Sequence, residues 1–288
     1  MNEATFLAAL RTLPLHPGVR GLLDDAAVLE VGGETLVLTH DTMVEGVHFL
    51  ASQDMADVAF KLVAVNLSDL AAKGAEPVGV LLGYQLGNGD DQFLRGLKEA
   101  LETCSVPLLG GDTVAGAGPR SFGLTAIGRA THTPVPSRSG AHAGDALYLT
   151  GPVGAAMLGF EALRDGTGAD SRAYCRPTPR LAEGQALAPV VSAMMDVSDG
   201  LLVDAARLAE ASGVTLRIDS AAVPFAGPPE RKAEALRWGD DYELLFTAPP
   251  NATLSIPAHR IGRAEPNGEH PLLLDSVPPH EPLGYRHG

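Results

Sequence analysis

Short apolar runs that end in aspartate recur along this chain, and patterns typical of helices separate them. Examples are "VLTHDT" with Asp41, "VPLLGGDT" with Asp112, and "SAMMDVSDG" with Asp196 and Asp199. Strand-like runs that alternate with helical patterns predict an α/β or α+β fold. Because ligands gather at one edge of such sheets, we expect these carboxylates to converge although they lie far apart in the sequence.

A polar segment with several Pro and Gly residues, "THTPVPSRSGAHAGD" at 131–145, separates two halves that each show this α/β pattern. Its composition is typical of a linker. A length of 288 residues fits two domains. We therefore predict an N-terminal domain over residues 1–136 and a C-terminal α/β domain over residues 137–288.

Acidic residues outnumber basic ones by 35 to 21, which gives a net charge of -14. This balance argues against a surface that tracks nucleic-acid phosphates and against binding to an acidic membrane. The two cysteines, Cys104 and Cys175, show no CxxC spacing, which indicates neither a disulfide framework nor a zinc site. The apolar run near the N-terminus has only five residues, too short for a signal peptide, so we expect a cytoplasmic protein.

One predicted helix, over residues 57–73, carries a polar stripe. Asp57 is expected to cap it, and Gly74 follows its last residue. Asn66, Asp69 and Lys73 share one side of this otherwise apolar helix. The stripe is either a solvated face or part of a site, and the helix alone does not decide between them.

Two glycine-containing motifs also allow two interpretations. "GGDT" is either a simple turn or a close backbone approach to a phosphate, with Asp112 binding a metal ion. In "MDVSDGLL", Ser198 or Asp199 is expected to cap the helix that follows, which leaves Asp196 without a structural reason. For His48, an ordinary imidazole is the commoner explanation than a ligand.

The chemistry that suits many carboxylates and few soft ligands is magnesium binding. Mg²⁺ prefers carboxylates together with substrate phosphates. The sequence contains no GxxxxGK(S/T) loop, no GxGxxG motif, and neither of the kinase signatures HRD and DFG. Phosphoryl transfer by this chain would therefore use another scaffold.

Several motifs, taken in order, resemble those of the thiamine-monophosphate kinase family over roughly residues 20–250. "NLSDLAAKGAEP" and "MDVSDGL" are similar to the wider aminoimidazole-ribonucleotide-synthetase-like superfamily, and "DTMVEGVHF" narrows the resemblance. The other matching segments are "DDAAVL", "LLGGDT", "RSGAHAGDALYLTG", "RPTPR" and "GDDYELLFT".

This resemblance implies a two-domain α/β fold whose N-terminal sheets pair across a homodimer. It also implies ATP bound between the domains with several Mg²⁺ ions. The implied reaction is direct in-line transfer of the γ-phosphate of ATP to thiamine phosphate, which gives thiamine diphosphate and ADP.

The resemblance carries over to individual positions of this chain. The implied Mg²⁺ ligands are Asp25, Thr39, His40, Asp41, Asp69, Asp112, Asp196 and Asp199. The implied ATP contacts are Gly111, Asp112, Arg138 and Ser198, and catalysis is assigned to Asp112, Asp199 and Arg138. The implied substrate contacts are His48, Asp240 and Tyr285.

The chain departs from the family pattern at a few positions. Leu23 stands where a glycine usually precedes the acidic pair, His40 occupies the middle of a "TTD"-like triplet, and Trp238 replaces a glycine. A metal contact through the His40 side chain therefore stays open, because the main-chain carbonyl of residue 40 is an alternative ligand.

Other functions fit parts of the sequence. A selenophosphate synthetase needs a reactive cysteine or selenocysteine near its N-terminus, and the first cysteine here is Cys104. Purine-pathway relatives need a pocket that "EGVHF" argues against. A Mg²⁺-dependent phosphohydrolase and a non-catalytic nucleotide-binding or metal-binding module stay open, and ADP release that depends on thiamine phosphate would distinguish them from a kinase.

Overall fold

Two β-sheets divide the chain in the computed structural model, which describes residues 3–285. The outer ends of both predicted domains, residues 1–2 and 286–288, lie outside the described residues. The first sheet ends at Ala130 and the second begins at Ala146. The boundary that we predict between residues 136 and 137 falls in the segment between the two sheets and stays a prediction.

The N-terminal half forms a five-stranded sheet with the strand order β1-β2-β5-β3-β4. All neighbours in this sheet are antiparallel except β3 and β4, which are parallel. The elements are α1 (Glu3–Leu10), a 3-10 segment (Pro17–Leu22), β1 (Ala27–Val31), β2 (Glu34–Val44), α2 (Met55–Ala72), β3 (Ala75–Leu86), α3 (Asp90–Thr103), β4 (Leu108–Ala115) and β5 (Ser121–Ala130).

Alternation along the strands explains why this sheet has one covered face. Phe122, Leu124 and Ala126 are fully buried in β5 and pack in one core with Leu62 of α2 and Phe93 of α3. Successive side chains of a strand point to opposite faces. The residues between them therefore lie on the open face of the sheet, which α2 and α3 do not cover.

The C-terminal half forms a six-stranded sheet with the order β11-β8-β10-β6-β9-β7. Only β11 and β8 are parallel among these neighbours. The elements are β6 (Ala146–Leu149), α4 (Ala155–Arg164), α5 (Arg172–Cys175), α6 (Leu181–Leu187), β7 (Ala193–Asp196), α7 (Leu201–Ser212), β8 (Val214–Ile218), two 3-10 segments (Ser220–Ala222 and Pro229–Arg231), α8 (Lys232–Ala235), β9 (Leu244–Ala248), β10 (His259–Pro266) and β11 (Leu272–Leu274).

Helix α2 lies between the two halves. It begins at Met55, two residues before the predicted start, and Asp54 rather than Asp57 caps it by accepting the Ala56 N–H. Asp57 instead pairs with Arg176 of the C-terminal half. The prediction that Asp57 caps this helix was therefore wrong, because an ion pair with the C-terminal half holds the Asp57 side chain.

A glycine permits a close approach between the halves. A Cβ atom on Gly184 of α6 would lie 1.9 Å from the carbonyl oxygen of Ala71 in α2. Helix α2 also contacts β7. This packing places the last turn of α2, which carries Asp69, beside the end of β7, which carries Asp196.

Within residues 3–285, no helix combines the length and the apolar character needed to cross a membrane.

Candidate functional site

Three carboxylates meet at the boundary between the halves. Asp25 precedes β1, Asp69 lies in the last turn of α2, and Asp196 ends β7. Each contributes an oxygen atom, and these oxygens all lie within 4.8 Å of one another. We call these three residues the acidic cluster. Of the carboxylates that the apolar runs predict to converge, Asp196 lies in this cluster, where it meets two carboxylates of the N-terminal half.

The electrostatics of the acidic cluster show that the carboxylates crowd one another. Burial raises the pKa of Asp69 well above its ordinary value, and the carboxylates of Asp41, Asp196 and Asp25 add to this. Burial and then Asp25 raise the pKa of Asp196 to about 8. Burial also raises the pKa of Asp41 to about 6, against the opposing influence of His40. A divalent cation would reverse this cost, because it favours the ionised carboxylates.

Hydroxyl and amide groups fix the carboxylates in place. Thr39 Oγ1 donates a hydrogen bond to Oδ2 of Asp69. Ser68 Oγ donates to Oδ2 of Asp196 at 2.5 Å. The main-chain N–H of Asp41 donates to Asn66 Oδ1 at 2.9 Å. Buried polar groups need such partners, so the site is organised by the fold itself.

The polar stripe of α2 belongs to this site. Asn66 and Lys73 are completely buried, which excludes the solvated interpretation. Lys73 Nζ lies 2.5 Å from Oδ1 of Asp24 and 2.5 Å from Oδ2 of Asp25, and it donates to the Met194 carbonyl at 3.2 Å. The sequence signal for Lys73 was its position four residues after Asp69 on the same helix.

The charges of this ion pair are mutually stabilised. Burial alone would raise the pKa of Asp24, but Lys73 lowers it far below its ordinary range. Burial would likewise lower the pKa of Lys73, but Asp25 and Asp24 raise it. Both groups are therefore ionised around neutral pH, and a permanent cation stands beside the acidic cluster.

Arg138 approaches the acidic cluster from the segment between the two sheets. Its Nε lies 2.7 Å from Oδ1 of Asp25, and its Nη2 lies 2.5 Å from the same oxygen. Burial opposes the charge on Arg138, but Asp25 and Asp204 raise its pKa. Arg138, which the resemblance assigns to ATP, thus contacts Asp25, which the resemblance assigns to Mg²⁺.

The side chain of Asp204, which no sequence motif singled out, holds the turn before α7. Asp204 Oδ2 accepts the N–H groups of Ser198 at 3.1 Å, Asp199 at 3.0 Å and Gly200 at 3.1 Å. Helix α7 begins after Gly200, without a side-chain cap. Capping by Ser198 or Asp199 was therefore wrong, because Asp204 binds this turn from inside the helix. Its spacing of four residues from Gly200 was the available signal.

One predicted substrate residue, His48, is fixed by a main-chain contact. His48 Nδ1 accepts the N–H of Val44 at 3.1 Å, so a neutral His48 carries its proton on Nε2.

The other two predicted substrate residues, Asp240 and Tyr285, are fixed near the turn before α7. The N–H of Asp240 donates to the Ser198 carbonyl at 2.8 Å, and the N–H of Tyr285 donates to the Asp199 carbonyl at 2.9 Å. The structure thus places Asp240 and Tyr285 against the Ser198–Asp199 backbone.

His40 points away from the acidic cluster. Its ring nitrogens lie 2.9 Å from Oγ1 of Thr125 and 3.3 Å from Oγ1 of Thr42. These threonines lie on the open face of the sheet, whereas Thr39 is buried on the opposite face. The side chain of His40 is therefore engaged on the open face of the sheet.

Gly111 and Asp112 also stand apart from the acidic cluster within one chain. Asp112 pairs with Gly83, Gly83 with Gly123, and Gly123 with Thr42. Three strand spacings separate the ends of this row, about 14 Å. A Cβ on Gly111 would lie 1.9 Å from the Leu82 carbonyl oxygen. The glycine therefore has a packing role in the edge strand β4.

Comparison with known families defines the class of protein. Residues 23–130 match the model of "AIR synthase related protein, N-terminal domain", and residues 142–267 match that of "AIR synthase related protein, C-terminal domain". The chain is therefore a two-domain AIR synthase-related protein. The two-domain α/β prediction is confirmed.

Curated relatives define the family more narrowly. The thiamine-monophosphate kinase of Caulobacter vibrioides is 40% identical over 264 residues, which cover 82% of this chain and 75% of that protein. The Escherichia coli K12 thiamine-monophosphate kinase is 38% identical over 80% of this chain and 76% of its own length. The chain belongs to the thiamine-monophosphate kinase family.

Solved structures agree with this assignment. A structure described as "AaThiL complexed with AMPPCP and TMP" has a TM-score of 0.89 and 28% identity, and the match covers 100% of this chain and 97% of that chain. The thiamine-monophosphate kinase of Stenotrophomonas maltophilia has a TM-score of 0.76 and 31% identity, with 95% of both chains covered. The hydrogenase maturation protein HypE, with a TM-score of 0.71 and 19% identity over 90% of this chain and 86% of its own, shares the fold.

Proposed function

We propose that this protein transfers the γ-phosphate of ATP to thiamine phosphate with the help of Mg²⁺ and releases thiamine diphosphate and ADP. The observation that carries the proposal is the acidic cluster, whose oxygens come from both halves and lie within 4.8 Å of one another. The names of the curated relatives support it. So does the neighbour that binds AMPPCP, an ATP analogue, together with TMP.

The donor set fits magnesium. The groups at the acidic cluster are carboxylate and hydroxyl oxygens, which are the ligands that Mg²⁺ prefers. We assign the metal to Asp25, Thr39, Asp41, Asp69, Asp196 and Asp199, with the carbonyl rather than the side chain of His40. Asp112 stands apart from these groups within one chain, so we assign it to the metal from the second chain of the homodimer proposed below. When bound, Mg²⁺ neutralises phosphate charge and stabilises the charge that develops during transfer.

The acceptor needs little activation. A phosphate monoester is largely ionised near neutral pH, because its second pKa is about 6. Its oxygen is already a nucleophile, so the reaction needs no general base. The task of the protein is to position two anionic groups in line. We therefore propose direct transfer without a phosphorylated enzyme intermediate.

The remaining residues bind and orient the two substrates. His48, with its proton on Nε2, donates to the phosphate of thiamine phosphate. Arg138 binds the ATP phosphates, and this requires that its contact with Asp25 opens. Gly111, Asp112 and Ser198 complete the nucleotide contacts, and Asp112 and Asp199 share the catalytic role of Arg138.

The organic part of thiamine phosphate carries a cationic thiazolium ring and an aromatic pyrimidine. Asp240 offers a carboxylate that is 29% exposed. Tyr285 offers an aromatic ring that is 46% exposed. A carboxylate suits the cation, and an aromatic face suits stacking. We assign both residues to this part of the substrate.

A homodimer is part of the proposal. Leu81, Leu109 and Val114 are 38%, 51% and 53% exposed, and Leu109 contacts Gly79 in the neighbouring strand. Leu81 lies on the open face of the N-terminal sheet, in the strand next to the edge strand β4, and Leu109 lies in β4 itself. Pairing of two such sheets would cover these side chains.

Because the reaction consumes ATP, we also propose a cytoplasmic location.

A coupled assay of ADP release tests this function. Purified protein is incubated with ATP and Mg²⁺, with and without thiamine phosphate. We expect ADP release that depends on thiamine phosphate. ADP and inorganic phosphate formed equally without the acceptor would indicate a phosphohydrolase instead. Absence of turnover under both conditions would contradict the kinase and leave a binding module.

A further inference from the structure

Lys61 is a buried cation that the reaction described above does not use. It lies in the middle of α2, and its side chain is only 2% exposed. Burial of an ammonium group is costly unless partners compensate for lost hydration. The partners of Lys61 therefore indicate why the fold places a charge there.

These partners come from both halves of the chain. Lys61 Nζ lies 3.0 Å from Oδ2 of Asp240, 3.7 Å from the ring centroid of Tyr174 and 3.4 Å from the carbonyl oxygen of His48. Tyr174 adds a second link, since its hydroxyl donates to the same His48 carbonyl at 3.0 Å. One cation thus connects the two residues, His48 and Asp240, that we assign to opposite ends of the substrate.

Asp240 needs support of this kind because its backbone is strained. Its φ angle is 64°, in the left-handed region that non-glycine residues rarely adopt. Tyr242 donates from its hydroxyl to Oδ1 of Asp240 at 3.0 Å, and Lys61 holds Oδ2. Gly239 permits the preceding turn, because a Cβ there would lie 2.2 Å from the Ser198 carbonyl oxygen.

Asp240 and Lys61 have different roles because their side chains differ in exposure to solvent. Asp240 is 29% exposed and can meet a ligand, whereas Lys61 is closed off from solvent. We infer that Lys61 is a positioning residue for the thiamine-phosphate side of the site, where it orients the Asp240 carboxylate and fixes the His48 loop against the C-terminal half. This inference rests on the proposed function.

The consequence is specific to one substrate. Loss of the Lys61 charge frees the Asp240 carboxylate and weakens one of the two links to His48. Misplacement of binding groups by a fraction of an ångström is sufficient to lower affinity. The ATP contacts that we assign to Gly111, Asp112, Arg138 and Ser198 do not include Lys61. The effect should therefore appear for thiamine phosphate and not for ATP.

The test combines calorimetry and kinetics on the full-length protein. We expect Lys61→Met to weaken binding of thiamine phosphate on the order of tenfold, with the Kd of AMPPCP changed less than about twofold. KM for thiamine phosphate should rise more than kcat falls. Lys98→Met is the matched control, because Lys98 is exposed and forms its ion pair with the exposed Glu102. It should bind both ligands normally.

A double-mutant cycle distinguishes positioning from general stability. If Lys61 acts through Asp240, Lys61→Met should add little to the loss already caused by Asp240→Asn. Additive losses would overturn the inference, as would equal losses for both ligands. Should Lys61→Met not fold, Lys61→Gln takes its place, because it removes the charge and leaves a polar side chain. It should bind thiamine phosphate more weakly than the unsubstituted protein.

The outcomes also distinguish this inference from the proposed function. Normal binding of thiamine phosphate by both Lys61 variants would overturn the positioning role alone. Failure of the unsubstituted protein to bind thiamine phosphate would overturn the proposed function and the role of Lys61 with it.

Discussion

Arg138 is bound to Asp25, with 2.7 Å between Nε and Oδ1. The contact joins the segment between the two sheets to the loop before β1, and it neutralises one member of the acidic cluster. Because we assign Arg138 to ATP and Asp25 to Mg²⁺, nucleotide and metal binding must both change this ion pair. Binding of the two is therefore expected to be coupled.

Replacement of Arg138 tests this coupling. Arg138→Met should raise KM for ATP by about tenfold or more, because charge-assisted and bidentate contacts to phosphate are lost. Arg138→Lys should restore little, since an ammonium cannot reproduce the planar guanidinium geometry. Arg164→Met, which removes an exposed arginine paired with Asp165, is the control. Unchanged ATP kinetics in Arg138→Met would contradict the assignment.

Replacement of Asp69 should have opposite effects on activity and on stability. Asp69→Asn removes a carboxylate from the acidic cluster, so kcat should fall about a hundredfold or more. The same change removes a buried carboxyl group whose ionisation is costly beside other carboxylates, so the variant should melt at a higher temperature than the unsubstituted protein in EDTA. Thermal melting with and without Mg²⁺ measures this. A lower melting temperature in EDTA would show that Asp69 stabilises the fold instead.

The pKa of Asp196 predicts how stability depends on pH without metal. Burial and Asp25 raise it from 3.8 to about 8. Between these values the folded protein holds a proton that the unfolded chain has released. The contribution of this proton to stability is therefore complete below about pH 4 and lost as the pH rises through 8.

The measurement is the melting temperature between pH 5 and 9 in EDTA. We expect it to fall as the pH rises, and to fall less steeply in Asp196→Asn. Saturating Mg²⁺ should flatten the profile of the unsubstituted protein, because bound cations favour the ionised carboxylate. An identical slope in the Asn variant would contradict the raised pKa.

Gly184 tests whether the contact between the halves supports the site. A Cβ at this position would lie 1.9 Å from the Ala71 carbonyl oxygen, so Gly184→Ala must displace α6 or α2. We expect a loss of about 1–3 kcal/mol in the free energy of unfolding and a marked loss of kcat. Gly116→Ala is the control, because its Cβ would meet only the end of the Gln85 side chain, at 3.2 Å. Full activity of Gly184→Ala would show that this packing does not position the acidic cluster.

The sequence predicts the parts of this site that local patterns encode. Asp196 was identified from an apolar run, Asp69 from a helix stripe and Asp25 from the family resemblance, and the structure brings the three together. Other parts depend on tertiary packing. The contact between Lys61 and Asp240 crosses the boundary between the halves, and no local pattern indicates it.

Two capping predictions failed for the same kind of reason. Asp57 and Asp199 each stand near a helix start, but arginines pair with both of them, Arg176 with Asp57 and Arg207 with Asp199. Local capping signals describe what a side chain is able to do, and the other charged groups around it decide what it does. The separation of Asp112 from the acidic cluster likewise follows from strand order, which the sequence does not specify.

The fate of the γ-phosphate tests the proposed phosphoryl transfer most directly. ATP labelled at that position is incubated with the protein, Mg²⁺ and thiamine phosphate, and the products are separated by chromatography. We expect the label in thiamine diphosphate in amounts equal to the ADP formed, and we expect Asp69→Asn to form both products about a hundredfold more slowly, or more slowly still. Label recovered as inorganic phosphate, at a rate indifferent to thiamine phosphate, would contradict the proposed transfer.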